Sequence, residues 1–461
     1  MGEIRLLREL RDTQKEGIKF LLENKKVGIR HGTGKGKTYL SLAAGAVLLK
    51  RDLVDVVICF VTKNGLIAYR DDLKLTTLNA CFLNSVEDYK PWCDIYIIQY
   101  HLMPKVKEVI PFSRGRVFGI FDEIQTIKSP NTYLRNQFLE IRGEFDWFMG
   151  LTATPVGKIF DIYNITDYFR PGIWGTLWEF KSRYCELRER RVVQNGRRRK
   201  YFEIVGYKNL DLLASAVNQV WHSSVSGMPV NFHLTDSPEV TLTEDEEKVY
   251  LEAAWGILNA EKGVKIPLNR LHDLQGVVDD SESKKGMAIS LVRDLIREDK
   301  GVIVYFSRKT AMKEIAERAE VEYRIIDGSV SVDKRNKIKE WFGPRKVIYM
   351  TYAGSRSLNL ELGNQIVFYE CPWEVEIFIQ TVGRCARQFV SKYEFVDVWM
   401  PIVRNTIDEY RRRYVELTGD LVRKILADGE GNLPSSATDL RRSLFIEMRK
   451  NLLWRLKGKR K

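Results

Sequence analysis

Cysteine is scarce in this chain and follows no pattern. Six cysteines occur among 461 residues, at positions 59, 81, 93, 185, 371 and 385, without a C-x-x-C pair, and the five histidines add no metal-ligand spacing. That argues against a zinc module or a disulfide framework and for reduced, packed thiols in a cytosol-like compartment. Long apolar runs are missing as well. No stretch approaches the roughly 20 residues that span a bilayer, and no signal-peptide pattern is present, so the expectation is a cytoplasmic protein without a membrane segment. Nuclease motifs and chromatin-reading modules are also missing. What remains is an ordinary globular composition, 44% hydrophobic and 29% charged. A chain of this length exceeds a single core, so two or three domains are expected.

Charge is present in excess and in two places. The net charge is +13, yet Lys181 to Lys200 alone carries nine Lys/Arg against two Glu, and Arg441 to Lys461 carries nine against Glu447. The rest of the chain is close to neutral. Concentrated positive charge suits contact with a polyanion, and solvated, solubilising runs are the alternative.

From Val27 to about Arg170, apolar runs alternate with helical stretches. Val27–Arg30, Val56–Val61, Ile95–Ile98, Val117–Phe121 and Phe145–Leu151 are short and rich in β-branched or aromatic residues, as in a parallel sheet buried on both faces. The segment 171–283 breaks that rhythm with the first basic run, an Asn195-Gly196 turn signal and the acidic Glu244-Asp245-Glu246-Glu247. It reads as a helix-rich insertion and linker, partly basic. Alternation resumes over 284–418, with strands at Val302–Phe306, Tyr323–Ile326, Lys346–Thr351, Gln365–Tyr369 and Glu394–Met400 and a helix at Thr310–Ala319. The expected domains are thus 1–170, 171–283, 284–418 and a basic tail helix over 419–461. Apolar positions 440, 444, 445, 448, 452, 453 and 456 give that tail one helical stripe, suited to docking on a lobe.

The chemistry begins at His31-Gly32-Thr33-Gly34-Lys35-Gly36-Lys37-Thr38. A glycine-rich loop between a strand and the helix Tyr39–Lys50 offers backbone N–H groups to phosphates. Lys37 is placed for the β/γ-phosphates and the Thr38 hydroxyl for Mg²⁺. Asp122 and Glu123 follow an apolar strand, at the edge where α/β sheets bind ligands. Asp122 is expected to hold Mg²⁺ and Glu123 to orient the attacking water. Arg384 and Arg387 stand one turn apart on a helix starting near Glu376, where forked cations match the oxygens of a transferring phosphoryl group.

These segments, in this order, resemble superfamily 2 helicases, and among them the Swi/Snf-type double-stranded DNA translocases. Leu10-Arg11-Asp12-Thr13-Gln14 resembles the adenine-reading glutamine motif. Thr33 to Thr38 resembles motif I, with His31 in place of the usual small first residue, and Val61-Thr62-Lys63 resembles motif Ia. Asp122-Glu123-Ile124-Gln125 resembles motif II and Gly150 to Pro155 motif III. Val304 to Ser307, Ala353-Gly354 with Leu358 to Leu360, and Glu370 through Gln380, Arg384 and Arg387 resemble motifs IV, V and VI. Ser355 and Ser357 stand where the family has glycines, and Phe389-Val390 where it has Gly-Gln.

The resemblance runs from about Leu7 to Tyr414. It implies two tandem RecA-like α/β lobes, parallel sheets flanked by helices, with a basic helical insertion and a basic C-terminal helix. It also implies ATP and Mg²⁺ as cofactors, with Arg11, Gln14, Thr33, Gly34, Lys35, Gly36, Lys37 and Thr38 around the nucleotide. Lys37, Asp122, Glu123, Gln380, Arg384 and Arg387 would carry hydrolysis. Thr62, Lys63, Ser307, Arg308, Thr351 and Arg356 would meet nucleic-acid phosphates, and Gln125, Thr152 and Thr154 would couple the two sites. The expected partner is double-stranded or branched DNA, bound by a monomeric motor that a phage or mobile element could encode. A strand-separating RNA helicase and a binding scaffold with a dead ATPase are the alternatives. Trp373 could brace a duplex or fill a core, and core is the expectation.

Overall fold

In a computed structural model, the described residues are 3–32, 35–63, 65–106, 115–153, 159–194, 197–223, 232–260, 268–355, 360, 363–373, 375–385, 395–426, 437–438, 447–448, 450–452 and 454–455. The chain divides into two compact units. The first holds residues 1–185, 208–229 and 422–435, the second 186–207, 230–421 and 436–461.

The chain opens with α1 (Asp12–Asn24), β1 (Lys26–Arg30), α2 (Lys37–Lys50), β2 (Val56–Val61), α3 (Gly65–Leu73), β3 (Ala80–Leu83), β4 (Ile95–Gln99) and β5 (Val117–Asp122). It continues through α4 (Tyr133–Ile141), β6 (Trp147–Thr152), α5 (Ile159–Phe169) and α6 (Leu177–Tyr184). After β7 (Cys185–Gln194) and β8 (Arg197–Tyr207) come α7 (Leu210–Asn218) and β9 (Trp221–Ser223). In unit 1 the strands form a seven-stranded sheet of order β3-β4-β2-β5-β6-β1-β9, with parallel neighbours throughout. Every residue of β2, β5 and β6 is buried, which is why those runs are apolar without alternation. Aromatic rings pack together at β2, β5 and α4, where Phe60 stacks on Phe121 at 4.7 Å and Phe138 meets Phe121 edge-on. Helix α2 is buried nearly all round, so its Ala43-Ala44-Gly45-Ala46 run replaces an amphipathic pattern.

Strands β3 and β9 are too short, at four and three residues, to give a sequence signal. β9 is nonetheless seated closely on β1. A Cβ at Gly28 would come within 2.3 Å of the Trp221 ring, so only glycine lets the two strands pair with that indole between their faces. The indole N–H donates to Thr166 Oγ1 at 3.2 Å.

The chain then runs through β10 (Phe232–Leu234), β11 (Glu239–Val240), α8 (Glu244–Ala260), α9 (Leu268–Asp279), α10 (Glu282–Arg297), β12 (Val302–Phe306), α11 (Lys309–Arg318), β13 (Tyr323–Ile326) and α12 (Val332–Trp341). β14 (Val347–Thr351), α13 (Tyr352–Ser355), β15 (Gln365–Phe368), α14 (Val375–Val382), β16 (Val396–Trp399), β17 (Ile402–Val403), α15 (Ile407–Leu426) and β18 (Ala437–Thr438) complete it. The sheet of unit 2 has order β10-β16-β15-β12-β14-β13, again all parallel. Both units are therefore α/β, each with a parallel sheet flanked by helices.

Two expectations need correction. Beyond Lys181 and Arg183, which end α6, the first basic run is not helical: it lies on β7 and β8, neighbours in a three-stranded sheet with β18. Only two residues separate these strands, too few for a parallel crossover, so they form a hairpin. Val192-Val193 and Tyr201-Phe202 favour strand over helix, and Asn195-Gly196 is a hairpin signal. The rest of 171–283 holds α6, α7, α8 and α9 with the short strands β9, β10 and β11. Its acidic stretch is the first turn of α8, where Thr243 and Glu246 form a capping box and the carboxylates meet the helix's positive end. The second correction concerns Arg384: α14 ends at Val382, and Gly383 begins a turn in which Arg384 N–H bonds Thr381 O at 3.2 Å. Arg384 thus lies beyond the helix rather than on one of its faces, and Arg387 lies outside the described residues.

In unit 2 Met448 and Leu452 of the tail are buried in one cluster with Tyr250, Leu271, Leu274 and Ile407, so the apolar stripe does dock. Trp373 packs on the edge of that cluster with Arg411 over its ring, a core position. Leu440, Leu444, Phe445, Leu453 and Leu456 of the stripe lie outside the described residues. All six cysteines are buried, and none forms a disulfide. No described helix is long and apolar enough to cross a membrane.

Candidate nucleotide-binding and catalytic site

Unit 1 brings three motifs to one sheet edge. β1, β6 and β5 are adjacent and parallel, with Arg30 opposite Thr152 and Asp122 opposite Leu151. Parallel strands end together, so the loop after β1, the acid at the end of β5 and the threonine at the end of β6 share the carboxyl edge. Gly36 takes the left-handed conformation, φ 72°, at the start of α2, a position glycine occupies without strain. The first N–H groups of α2, beginning at Lys37, are left for an anion. Thr38 is half-buried in that first turn. The Lys37 ammonium donates to the carbonyls of His31 at 2.8 Å and Gly32 at 3.2 Å. Thr33 and Gly34 lie outside the described residues.

Gln14 is buried and braces this loop. Its Oε1 accepts from the Arg11 backbone N–H at 3.0 Å, and its Nε2 donates to Gly36 O at 2.9 Å. Arg11 is exposed, and burial followed by Arg11 lowers the pKa of Lys35.

Asp122 is buried, and burial with Glu123 beside it pushes its carboxyl up to about 7 against the pull of Lys37. Tyr100 OH donates to its backbone carbonyl at 2.8 Å. Glu123 has a left-handed backbone, φ 53°, a conformation that costs a non-glycine residue energy and is held by its surroundings. The Gln125 amide donates to Glu123 Oε2 at 2.5 Å. Thr152 is fully buried, and Thr154 lies outside the described residues. Among the described residues no cluster of three His, Cys, Asp or Glu stands ready for a metal. A buried carboxylate and a hydroxyl at one sheet edge are nonetheless a donor set that suits Mg²⁺, since it keeps waters and takes the remaining oxygens from phosphates.

In unit 2, β12 and β14 place Phe306 opposite Thr351, so Ser307, Arg308 and Thr351 lie at one carboxyl edge. Ser307 is exposed. Thr351 is buried, and its hydroxyl accepts from Gly354 N–H at 3.1 Å. Arg308 is engaged by carboxylates, with Asp280 at 3.2 Å and Asp279 at 3.3 Å. Gln380 is half-buried on α14. In unit 1 Lys63 is exposed and Thr62 half-buried. Arg356 lies outside the described residues.

Sequence reasoning did not find His222. It stands on β9, its Nδ1 3.1 Å from Nε2 of His31, and no motif announces a partner 191 residues away. The unusual His31 in the loop was the one available signal.

A family model, the helicase conserved C-terminal domain, matches residues 287–388. The chromatin-remodeling ATPase INO80 of Candida albicans is 30% identical over 127 residues, 26% of this chain and 9% of that protein. L538 of Acanthamoeba polyphaga mimivirus, provisionally named an ATP-dependent RNA helicase, is 22% identical over 436 residues, 87% of this chain and 92% of that protein. The solved SWI2/SNF2 ATPase core of Sulfolobus solfataricus with double-stranded DNA is 17% identical, with 93% of this chain and 95% of that chain covered and a TM-score of 0.42. The chain spans between 8% and 15% of the length of the INO80 remodellers it matches. Residues 287–388 thus match the helicase conserved C-terminal domain, and the chain is similar over 26% of its length to a chromatin-remodeling ATPase.

Proposed function

We propose that this chain hydrolyses ATP to move along DNA, duplex or branched, and to remodel or unwind it in replication, recombination or repair. The observation that supports this most is the common carboxyl edge of β1, β5 and β6, where Lys37, Asp122, Glu123 and Thr152 assemble. On nucleotide binding, Lys37 exchanges its carbonyl partners for phosphate oxygens, and the N–H groups opening α2 face the same anion. Thr38 and Asp122 would hold Mg²⁺, which would neutralise charge on the phosphates. Glu123 orients and polarises the attacking water, with Gln125 fixing its carboxylate. Arg384 and Arg387 are assigned to the charge that develops on the transferred phosphoryl group, and Gln380 to their support. Gln14 and Arg11 are assigned to the adenine.

Contact with nucleic acid through phosphates gives weak sequence preference and steep salt dependence. Lys63 and Ser307 are the exposed candidates, together with the basic hairpin β7–β8. RNA as the track is the second reading, favoured by the name of the mimivirus relative that the chain covers almost fully. ATP turnover measured with duplex DNA, single-stranded DNA and RNA decides between them. Stimulation by duplex DNA is expected; stimulation by RNA alone, or none by any nucleic acid, overturns the proposal.

A further inference from the structure

The imidazole of His31 is fully buried beside the loop, and no role assigned above uses it. Three elements enclose it. Its own loop is one, α1 approaches it at Gly17, and β9 brings His222, whose ring lies 5.3 Å away with Nδ1 in hydrogen-bond range of His31 Nε2. The other nitrogen of His222, Nε2, faces the Glu16 carboxylate at 4.0 Å, and Phe20 packs on the ring. That carboxylate selects the tautomer with a proton on His222 Nε2. His222 Nδ1 is then an acceptor, His31 Nε2–H is the donor, and His31 Nδ1 is a lone pair. His31 Nδ1 is indeed the buried ring nitrogen without a partner. The opposite assignment would bury an unpaired N–H and turn a lone pair toward Glu16, which costs more. Both rings are held neutral. Burial, then His222, Lys37, Lys35 and Arg30, push His31 down to about 3, and burial with Arg30 lowers His222 against Glu16.

The carbonyl of His31 is also the nearer of two that hold Lys37, so the ring and the phosphate-binding lysine meet at this residue. We propose that His222 is a positioning residue for the nucleotide site: by accepting the His31 Nε2–H it fixes the start of the loop and so sets its affinity for the triphosphate. This rests on residues 31–38 being the nucleotide loop.

The test uses the full chain with His222→Leu, which removes the acceptor, and His222→Asn, whose Oδ1 can accept where Nδ1 does. For His222→Leu the KM for ATP is expected to rise about tenfold, the range of one buried hydrogen bond, with kcat within about twofold. His222→Asn is expected to restore the KM. In the unsubstituted protein the KM is expected to rise as pH falls below 6.5, because burial moves the His222 titration below that value and a proton on Nδ1 abolishes the acceptor, and His222→Asn is expected to lose that rise. A His222→Leu protein with wild-type KM and pH profile overturns the proposal, as does a His222→Asn protein that keeps the acidic rise. The Asn comparison decides even where the Leu variant does not fold. No ATP binding or turnover by the unsubstituted protein would overturn the reading of the loop itself.

Discussion

Individual side chains here owe their roles to burial as much as to identity. Asp122 is raised because it is desolvated beside Glu123, and a cation at that carboxylate relieves the penalty. Glu123 is expected to act on water, so Glu123→Gln should lower kcat about 10²–10⁴-fold while leaving nucleotide affinity near normal, as read by steady-state ATPase and nucleotide titration. Lys37→Ala should instead weaken nucleotide binding. Arg384→Ala should cost about 10³-fold or more in kcat. His31 supplies a stability prediction. Its pKa lies at about 3 in the folded protein against 6.5 when exposed, so the unfolded chain takes up the proton first. Stability is full above about pH 6.5 and is lost as pH falls toward 3. Thermal unfolding should therefore show Tm falling below pH 6.5, more gently in His31→Gln. Lys37, Asp122 and Glu123 were legible because phosphate chemistry restricts residue type and spacing. His222 was not, because only the pairing of β9 with β1 brings it to the loop.

At the scale of elements, close approach and charge compensation decide stability. Gly28→Ala should destabilise the protein by about 1–3 kcal/mol, since its methyl must displace the Trp221 ring; chemical denaturation measures this. In unit 2 Lys284 is fully buried and lies 2.7 Å from both Asp279 and Asp408, joining α9, α10 and α15. Lys284→Met would remove the cation shared by two buried carboxylates, leaving Arg308 at Asp279, and should cost about 3–5 kcal/mol. The hairpin β7–β8 teaches a different lesson. A basic run reads as helix or loop by charge alone, while its β-branched and aromatic residues and its Asn-Gly pair favour strands. Neutralising Arg197, Arg198, Arg199 and Lys200 should weaken duplex binding evenly across sequences and flatten its salt dependence by about 0.9 log units for each phosphate no longer neutralised. Unchanged binding would assign that charge to solubility.

For the molecule as a whole, the parallel sheet of unit 1 gathers Lys37, Asp122, Glu123 and Thr152 at its carboxyl edge, and that of unit 2 gathers Ser307, Arg308 and Thr351. If this division serves a motor, duplex DNA should stimulate ATP turnover steeply at low salt and lose that effect as salt rises. The sequence by itself determined the α/β class, the buried strands at Val56–Val61 and Val302–Phe306, the edge strand Tyr323–Ile326, and the residues suited to phosphate chemistry. Those features are local: a buried strand is a short apolar run, and a phosphate loop is a glycine pattern before a helix. Tertiary structure alone decided the strand order, the seating of β9 on Gly28, the carboxylates that engage Arg308 and the His31–His222 bond. These depend on residues far apart in the chain, whose contact no local pattern encodes.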